Sequence, residues 1–363
     1  MIATTLLLAA SAAAIALPPP TVDFQALLQT QDAPQPLFQH TSRQSSHVAD
    51  DDDEDPIPVI IWHGLGDASN ADGLSEVADL IDHVHPGTYV HIISANGNAD
   101  DRSASFFGDL NTQIDLVCKT LASDPILSTA PAVDAMGFSQ GGQFLRGYIE
   151  RCNEPKVRNF ITFGSQHNGI TQFERCKSAT DFICHAANAL LKSSTVWSDY
   201  VQTHLIPAQY YRDKNDFDNY LEHSHFLADI NNERKTKNST YKENLSKLEN
   251  FVMIVFEDDQ AVIPKESGWF ASVNETESNR TVTKLQDRPI YKEDWIGLRQ
   301  LDEKGSLKFL EVDGEHMQLN NTDLKKLFKS YFGPERSNKS PVEPTVDEIV
   351  DVLGEWFVEK LDL

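Results

Sequence analysis

The stretch AMGFSQGGQFLRGY, residues Ala135–Tyr148, places a serine between two glycines, after a short apolar run and before residues with a helical pattern. Small residues at Gly137 and Gly141 would let a strand and a helix pass closely beneath Ser139 in a sharp turn. The N-terminus of that helix would then lie beside the serine oxygen, where its dipole and free N–H groups favour developing negative charge. The stretch predicts a nucleophile elbow, provided that the rest of the chain supplies the matching fold.

Apolar runs along the chain predict such a fold. Continuous apolar runs are typical of strands buried on both faces of a parallel sheet, and helical patterns at 74–84 and 109–122 separate the first of them. Strands that alternate with helices favour an α/β fold with a mostly parallel central sheet. From about 165 to 250 the pattern is helical, which predicts a helical insertion between two core strands. The predicted strands are 57–62, 88–94, 132–137, 159–164, 251–256 and 307–312.

The chain is strongly acidic. With 31 Lys and Arg against 55 Asp and Glu, it carries a formal net charge of −24 at pH 7. Nucleic-acid phosphates and anionic membrane surfaces repel an acidic protein, so we expect no nucleic-acid partner. No apolar run after the N-terminus is long enough to cross a bilayer, which predicts no integral membrane span. We also expect neither a metal nor another cofactor.

The N-terminus indicates secretion. Residues 1–16 form a short apolar stretch with small residues at its end, which is typical of a cleaved signal peptide, although the usual basic start is missing. Four cysteines, an even number, suit an oxidising compartment. We therefore expect a protein of the secretory pathway, in a lysosome or vacuole or outside the cell. Candidate glycosylation sequons stand at Asn238, Asn244, Asn274, Asn279 and Asn320, with a weaker one at Asn338 before Pro341.

Two further segments flank the predicted domain of residues 56–333. Residues 17–55 are rich in proline, glutamine and acidic residues, and they carry too little apolar surface to repay ordering, so we expect disorder. Residues 334–363 combine a linker with an amphipathic pattern whose apolar positions share one helical face. We expect this C-terminal helix to dock on the core or on a partner.

Candidate catalytic partners follow the elbow in the order Ser, acid, His, which is the order of this architecture. His316 is the only histidine beyond residue 225, and it stands in a turn directly after a predicted strand. The acid should follow an earlier strand, where Glu257, Asp258 and Asp259 stand in a row. The residue pattern alone leaves all three carboxylates open.

The oxyanion hole needs two backbone donors. One would come from Gln140, the residue after the nucleophile. The other would come from Leu65 in the loop IIWHGLGD after the first core strand, where flanking glycines allow its N–H to point inward. We reject His63 as the catalytic base because it precedes the serine and lies on this same loop.

Motifs distributed along the chain resemble those of one family. IIWHGLGD, SFFGDLNTQIDLVC, GSQHNGI, FLADINNE, SGWF and GEHMQL stand in order around the elbow. Together they resemble the type 1 palmitoyl-protein thioesterase family over about 56–333. The resemblance implies an α/β-hydrolase fold with a helical insertion forming an acyl-binding groove. It also implies an enzyme that removes long-chain fatty acyl groups from protein cysteines.

The resemblance assigns roles to individual residues. It implies Ser139 as nucleophile, His316 as base and Asp259 as the acid. It places the oxyanion donors at Leu65 and Gln140. S-acylated proteins or peptides and long-chain fatty acyl thioesters would be the substrates, and we expect a monomer.

The resemblance also pairs the four cysteines. It implies disulfides Cys118–Cys152 and Cys176–Cys184. One departure follows the HGLGD loop, where an adjacent cysteine pair sometimes found in the family is replaced by Ala68 and Ser69. This departure leaves the proposed catalytic residues untouched.

Two other functions fit the same residues. A lipase or carboxylesterase acting on oxyesters would share every catalytic residue, and a catalytically silent binding protein could retain the fold. Apolar residues of the insertion are candidate groove walls, although simple helix packing is the better explanation for any single one of them. These candidates are Ile170, Phe173, Ile183, Leu190, Leu191, Val196, Trp197, Val201 and Leu205.

Overall fold

The computed structural model describes residues 55–95, 101–173, 182–276 and 279–335. The predicted signal peptide, nearly all of the acidic segment and the predicted C-terminal helix lie outside these residues.

A six-stranded parallel sheet forms the centre of the described chain. Its strands are β1 Val59–Trp62, β2 Val90–Ile92, β3 Val133–Phe138, β4 Val157–Phe163, β5 Asn250–Phe256 and β8 Leu307–Val312. Their spatial order is β2-β1-β3-β4-β5-β8, and all neighbours run parallel. All six predicted runs coincide with these strands. An antiparallel hairpin of β6 Ser272–Thr276 and β7 Asn279–Thr283 was not predicted, because its alternating polar residues form no apolar run.

Helices connect and cover the strands. Helix α1 is Asp72–Val84, α2 Asp101–Phe106, α3 Leu110–Ser123 and α4 Gln140–Arg151. Between β4 and β5 the described residues form α5 Phe182–Leu191, α6 Asp199–His204, α7 Ile206–Gln209, α8 Phe217–His223, α9 Leu227–Ile230 and α10 Ser239–Leu245. The remaining helices are α11 Pro289–Lys292, α12 Leu298–Glu303 and α13 Asn321–Tyr331.

The sheet is buried on both faces. Successive residues of a strand point to opposite faces, so Ile60 and Trp62 pack with α3, α4 and the helices after β4. Val59 and Ile61 pack instead with α1 and α13. Both faces therefore need apolar side chains, which explains why the strands are continuous apolar runs.

The strand order places a crevice above β1 and β3. From β1 the chain crosses to β2 on one side, and it then returns to form β3 on the other side. Ligands bind at such a switch point, beyond the carboxyl ends of the strands, in open parallel sheets. The loop after β1 and the turn after β3 both lie at this point.

Helix α4 is anchored to the region after β4 by a buried cation. Arg146 is fully buried and donates to Glu150 Oε1 at 2.8 Å and Asn231 Oδ1 at 2.8 Å. It also donates to the carbonyls of Ile230 at 3.0 Å and His167 at 3.2 Å. Burial raises the pKa of Glu150 to about 7, against the opposing charge of Arg146. Because a buried charge is costly when unpaired, this network holds the surrounding segments together.

One of the two disulfides implied by the resemblance is present in the described residues. Cys118 of α3 is joined to Cys152 at the end of α4; the two cysteines are 34 positions apart in the sequence, and their Cα atoms are 6.2 Å apart. Cys176 lies outside the described residues, so a Cys176–Cys184 bond stays a prediction.

The candidate glycosylation sites differ in exposure. Asn238, Asn274, Asn279 and Asn320 are exposed, as an attached glycan requires. Asn244 is half-buried, and its Nδ2 donates to the carbonyl of Glu150 at 3.2 Å. Occupancy of these sequons stays a prediction.

The turn between β3 and α4 is tightly packed. Ser139 has φ +50° and ψ −124°, an uncommon backbone conformation for a residue with a side chain. A Cβ on Gly141 would lie 2.2 Å from the carbonyl oxygen of Trp62, and one on Gly137 would lie 2.3 Å from the Cα of Gly142. The two glycines therefore let α4 start directly against β1 and β3 while Ser139 stays at the crevice.

We expect Gly141→Ala to lower the free energy of unfolding by about 3 kcal/mol, because backbone atoms cannot move aside for the added methyl. Gly73→Ala is the matched control, since a Cβ at Gly73 of α1 meets nothing within 4 Å. Thermal and urea unfolding would measure both variants. Equal stability of the two variants would contradict the packing argument.

Candidate active site

Three side chains from three loops meet in one hydrogen-bonded line. Nε2 of His316 lies 3.1 Å from Ser139 Oγ, and Nδ1 of His316 lies 2.7 Å from Asp259 Oδ2. The His316 side chain is 19 % exposed and the Asp259 side chain 1 %. A hydroxyl, an imidazole and a buried carboxylate in this order can pass a proton from the serine to the ring.

Asp259 is the one carboxylate of its run that faces the histidine. Its Oδ1 accepts the backbone N–H groups of Ala261 and Val262, both at 2.9 Å. These two bonds leave Oδ2 for His316. Glu257 and Asp258 are exposed, and the Asp258 N–H donates to the carbonyl of Gly314 at 3.0 Å. The structure therefore distinguishes Asp259 from its two neighbouring carboxylates, a choice that the residue pattern left open.

His316 lies in the loop after β8, and its ring packs against residues at the ends of β4 and β5. The ring of Phe256, the last residue of β5, packs edge-on against its imidazole at 5.9 Å between centroids. A Cβ on Gly164, after β4, would lie 2.9 Å from His316 Cε1. The ring is thus confined from two neighbouring strand ends.

The two predicted oxyanion positions flank the serine. Gln140 opens α4 directly after Ser139 and is buried. Leu65 lies in the loop after β1, which passes so close to the serine that a Cβ on Gly64 would lie 3.3 Å from Ser139 Cβ. The rejected His63 hydrogen-bonds through Nδ1 to the carbonyl of its neighbour Gly64 at 3.0 Å. The structure therefore places both donor candidates beside Ser139.

A cavity of about 590 Å³ opens at Ser139 and His316. This volume lies in the range of small-molecule sites. Most of the lining is apolar and comes from both sides of the sheet. One set is Ile170, Phe173, Tyr210 and Val262, and the other is Leu74, Val77, Leu319 and Leu324.

Comparisons with known proteins agree with this geometry. A model of the family described as palmitoyl protein thioesterase matches residues 58–316. The chain belongs to the palmitoyl protein thioesterase family. Its parallel sheet, with a serine at the turn between strand and helix, is the α/β-hydrolase fold that was predicted, and the protein is a hydrolase.

Curated relatives support the same assignment. The chain is 35 % identical to palmitoyl-protein thioesterase 1 of Caenorhabditis elegans over 279 residues, which cover 76 % of this chain and 92 % of the relative. It is 35 % identical to palmitoyl-protein thioesterase 3 of Dictyostelium discoideum, covering 76 % and 89 %. A lysosomal thioesterase PPT2 homolog of Drosophila melanogaster is 31 % identical, covering 69 % and 82 %.

The predicted groove residues of this thioesterase family member divide into two groups. Ile170 and Phe173 line the cavity. Leu191, Val196, Trp197 and Val201 are buried in the same core cluster as Ile170 but do not line this cavity, so their role as groove walls stays a prediction. Helical periodicity identifies a buried face without telling a core from a cavity. Leu190 and Leu205 are half-buried, and the side chain of Ile183 lies outside the described residues.

Three residues near the site were missed by sequence reasoning. Tyr210 lines the cavity, and its hydroxyl donates to Gln140 Oε1 at 3.1 Å. Gln166 also lines the cavity, and its buried Oε1 has no hydrogen-bond partner among the described residues. Ser105 of α2 contacts the loop of Leu65 through Gly66. The motifs SFFGDLNTQIDLVC and GSQHNGI contain Ser105 and Gln166, although neither residue was given a role, whereas no motif covers Tyr210.

Across the described ranges, no group of three or more His, Cys, Asp and Glu side chains could hold a metal ion. None of the described helices is long and apolar enough to cross a membrane.

Proposed function

We propose that this thioesterase hydrolyses long-chain fatty acyl thioesters of protein cysteines, with Ser139 as nucleophile, His316 as general base and Asp259 as the orienting acid. The observation that carries the proposal is the Asp259–His316–Ser139 line at the mouth of an apolar cavity. Family membership supports thioester chemistry, and the buried carboxylate supports the role of Asp259.

Acylation begins at Ser139. His316 takes the hydroxyl proton through Nε2 as Oγ bonds to the thioester carbonyl carbon, and Asp259 stabilises the resulting imidazolium. The carbonyl oxygen becomes an oxyanion between the N–H groups of Leu65 and Gln140. The carbon–sulfur bond then breaks, and the cysteine sulfur leaves with the proton from His316. A thiol with a pKa of about 8.5 is a good leaving group, so this step needs little acid assistance.

Deacylation repeats the same chemistry with water. His316 removes a proton from water as its oxygen bonds to the acyl carbon, and the oxyanion again forms beside Leu65 and Gln140. The bond to Ser139 Oγ then breaks, and His316 returns the proton to the serine. The fatty acid departs and the enzyme is restored.

The cavity supplies the binding energy for the acyl chain. Each buried methylene contributes about 0.8 kcal/mol, so apolar walls favour long chains. Ile170 and Phe173 belong to the wall on the side of the helices after β4. The unpartnered Oε1 of Gln166 would accept a hydrogen bond from a donor close to the reacting centre.

We propose a lysosome-like or vacuolar location, or secretion. Relatives named lysosomal thioesterases, the disulfide Cys118–Cys152 and the predicted signal peptide support this location. S-acylated proteins and peptides reaching that compartment would be the substrates.

The decisive experiment compares a palmitoyl thioester with the matching oxyester. We expect thioester hydrolysis by the purified protein to exceed oxyester hydrolysis and to vanish in Ser139→Ala. A fluorophosphonate probe should label the wild type and not this variant. Faster oxyester hydrolysis would instead indicate a lipase or carboxylesterase. Hydrolysis of neither substrate, with no labelling, would indicate a silent binding protein.

Adjacent carboxylates offer a matched pair of variants. We expect Asp259→Asn to lower kcat by about 10³- to 10⁴-fold, because an amide no longer fixes the tautomer of His316 or balances its charge. Asp258→Asn should stay close to the wild type, since Asp258 is exposed and does not face the ring. Steady-state kinetics with a palmitoyl thioester would measure both. Similar losses in the two variants would exclude Asp259 as the orienting acid.

Two phenylalanines test the acyl wall in the same way. We expect Phe173→Ala to lower kcat/KM for palmitoyl over octanoyl thioesters by about 10-fold, because part of the cavity wall is removed. Phe217→Ala is the control, since Phe217 is exposed and does not line the cavity. An unchanged chain-length preference in Phe173→Ala would show that the acyl chain binds elsewhere.

A further inference from the structure

Helix α2 packs against both sides of the candidate oxyanion hole. Its residue Ser105 is 3 % exposed. The Ser105 hydroxyl accepts the N–H of Gly66 at 2.8 Å, directly after Leu65 in the chain. The same hydroxyl donates to the carbonyl of Arg102 at 2.7 Å, so its lone pair is directed at Gly66.

Ser105 also contacts the second donor. Its backbone carbonyl accepts Nε2 of Gln140 at 3.1 Å. The other end of that amide, Oε1, accepts the Tyr210 hydroxyl at 3.1 Å. Hydrogen bonds with Ser105 and Tyr210 therefore fix both ends of the Gln140 side-chain amide. Ser105 also binds Gly66 in the loop of Leu65.

The first residue of α2 fixes the same loop further along. Asp101 Oδ2 accepts the N–H of Ser69 at 3.1 Å and also its hydroxyl, and Oδ1 accepts the Ser94 hydroxyl at 2.7 Å. Burial alone would raise the pKa of Asp101, but the hydrogen bonds from Ser69 and Ser94 outweigh burial and hold the pKa below its ordinary value. An ionised carboxylate therefore ties the loop end to α2.

We propose that Ser105 is a positioning residue of the oxyanion hole, which sets the distance between the backbone donors of Leu65 and Gln140, with Asp101 anchoring the far end of the loop. The inference rests on the proposed function, because it concerns the same acyl-transfer site. A loop containing Gly64 and Gly66 has little intrinsic rigidity. Its donor must nevertheless be positioned to within a fraction of an ångström to reach hydrogen-bond distance of the developing oxyanion, so an external clamp is required.

The test uses Ser105→Ala and Ser105→Thr, with Ser224→Ala as control. Alanine removes the acceptor for Gly66 and keeps the carbonyl that binds Gln140, whereas threonine keeps both. Ser224 is equally buried, and its hydroxyl accepts the N–H of Ala228 at 3.3 Å away from the site. Wild-type activity is measured first on a palmitoyl thioester and an oxyester, and the variants are then compared on whichever ester the wild type hydrolyses.

We expect Ser105→Ala to lower kcat by roughly 10- to 100-fold, with KM changed less than about two-fold. Its affinity for palmitoyl trifluoromethyl ketone, which forms a tetrahedral oxyanion on Ser139, should fall by a similar factor. Inhibition by palmitate, which forms no such adduct, should stay unchanged. Ser105→Thr should recover most of the kcat.

Other outcomes would overturn the proposal. The proposed positioning role of Ser105 is wrong if Ser105→Ala has the same kcat as Ser224→Ala. It is also wrong if the affinities of Ser105→Ala for the trifluoromethyl ketone and for palmitate fall together with its melting temperature. A wild type that hydrolyses neither ester would refute the proposed function itself. The two failures are therefore distinguishable.

Discussion

The close approach of helix α4 to strands β1 and β3 is the contact on which the site depends. Gly141 lies against the backbone of Trp62 and Gly137 against Gly142, at distances that no side chain could occupy. This approach forces Ser139 into its positive-φ turn and puts the start of α4 beside the loop after β1. The positions of the candidate nucleophile and of both candidate oxyanion donors thus follow from one packing constraint, reached where the strand order reverses.

The same helix carries the anchor for the region after β4. Arg146 lies two turns beyond Ser139 and binds Glu150, Asn231 and two backbone carbonyls in the protein interior. One of these carbonyls belongs to His167, the neighbour of the cavity residue Gln166. Because removing one partner of a buried ion pair leaves the other charge unpaired, these segments cannot shift separately at low cost. Buried hydrogen bonds therefore tie helix α4 to the segment that forms part of the cavity wall.

The sequence predicted the sheet and the proximity of Ser139 and His316 better than it predicted their surroundings. Strands buried on both faces leave long apolar runs, and the order of Ser139 and His316 along the chain follows from the fold. Choosing Asp259 over Asp258 depends on backbone turns that give one carboxylate two N–H donors, which composition does not record. Trp197, a candidate groove wall, is buried in the core and does not line the cavity, because periodicity shows burial and not what lies opposite. Ser105 contacts Gly66 and Gln140 through hydrogen bonds between segments distant in the sequence, and a residue pattern does not show such contacts.

Under the proposed function, Tyr210 would connect acyl binding to the candidate oxyanion site. Its ring lines the cavity, while its hydroxyl holds the side chain of Gln140. A long acyl chain in the cavity would therefore press on the residue that helps to position a candidate oxyanion donor. Binding energy from methylenes remote from the thioester could then be expressed in kcat and not only in KM, which is how enzymes use non-reacting parts of a substrate. Under the proposed function, Tyr210 would thus let acyl-chain length affect the reacting carbonyl without any change in Ser139, His316 or Asp259.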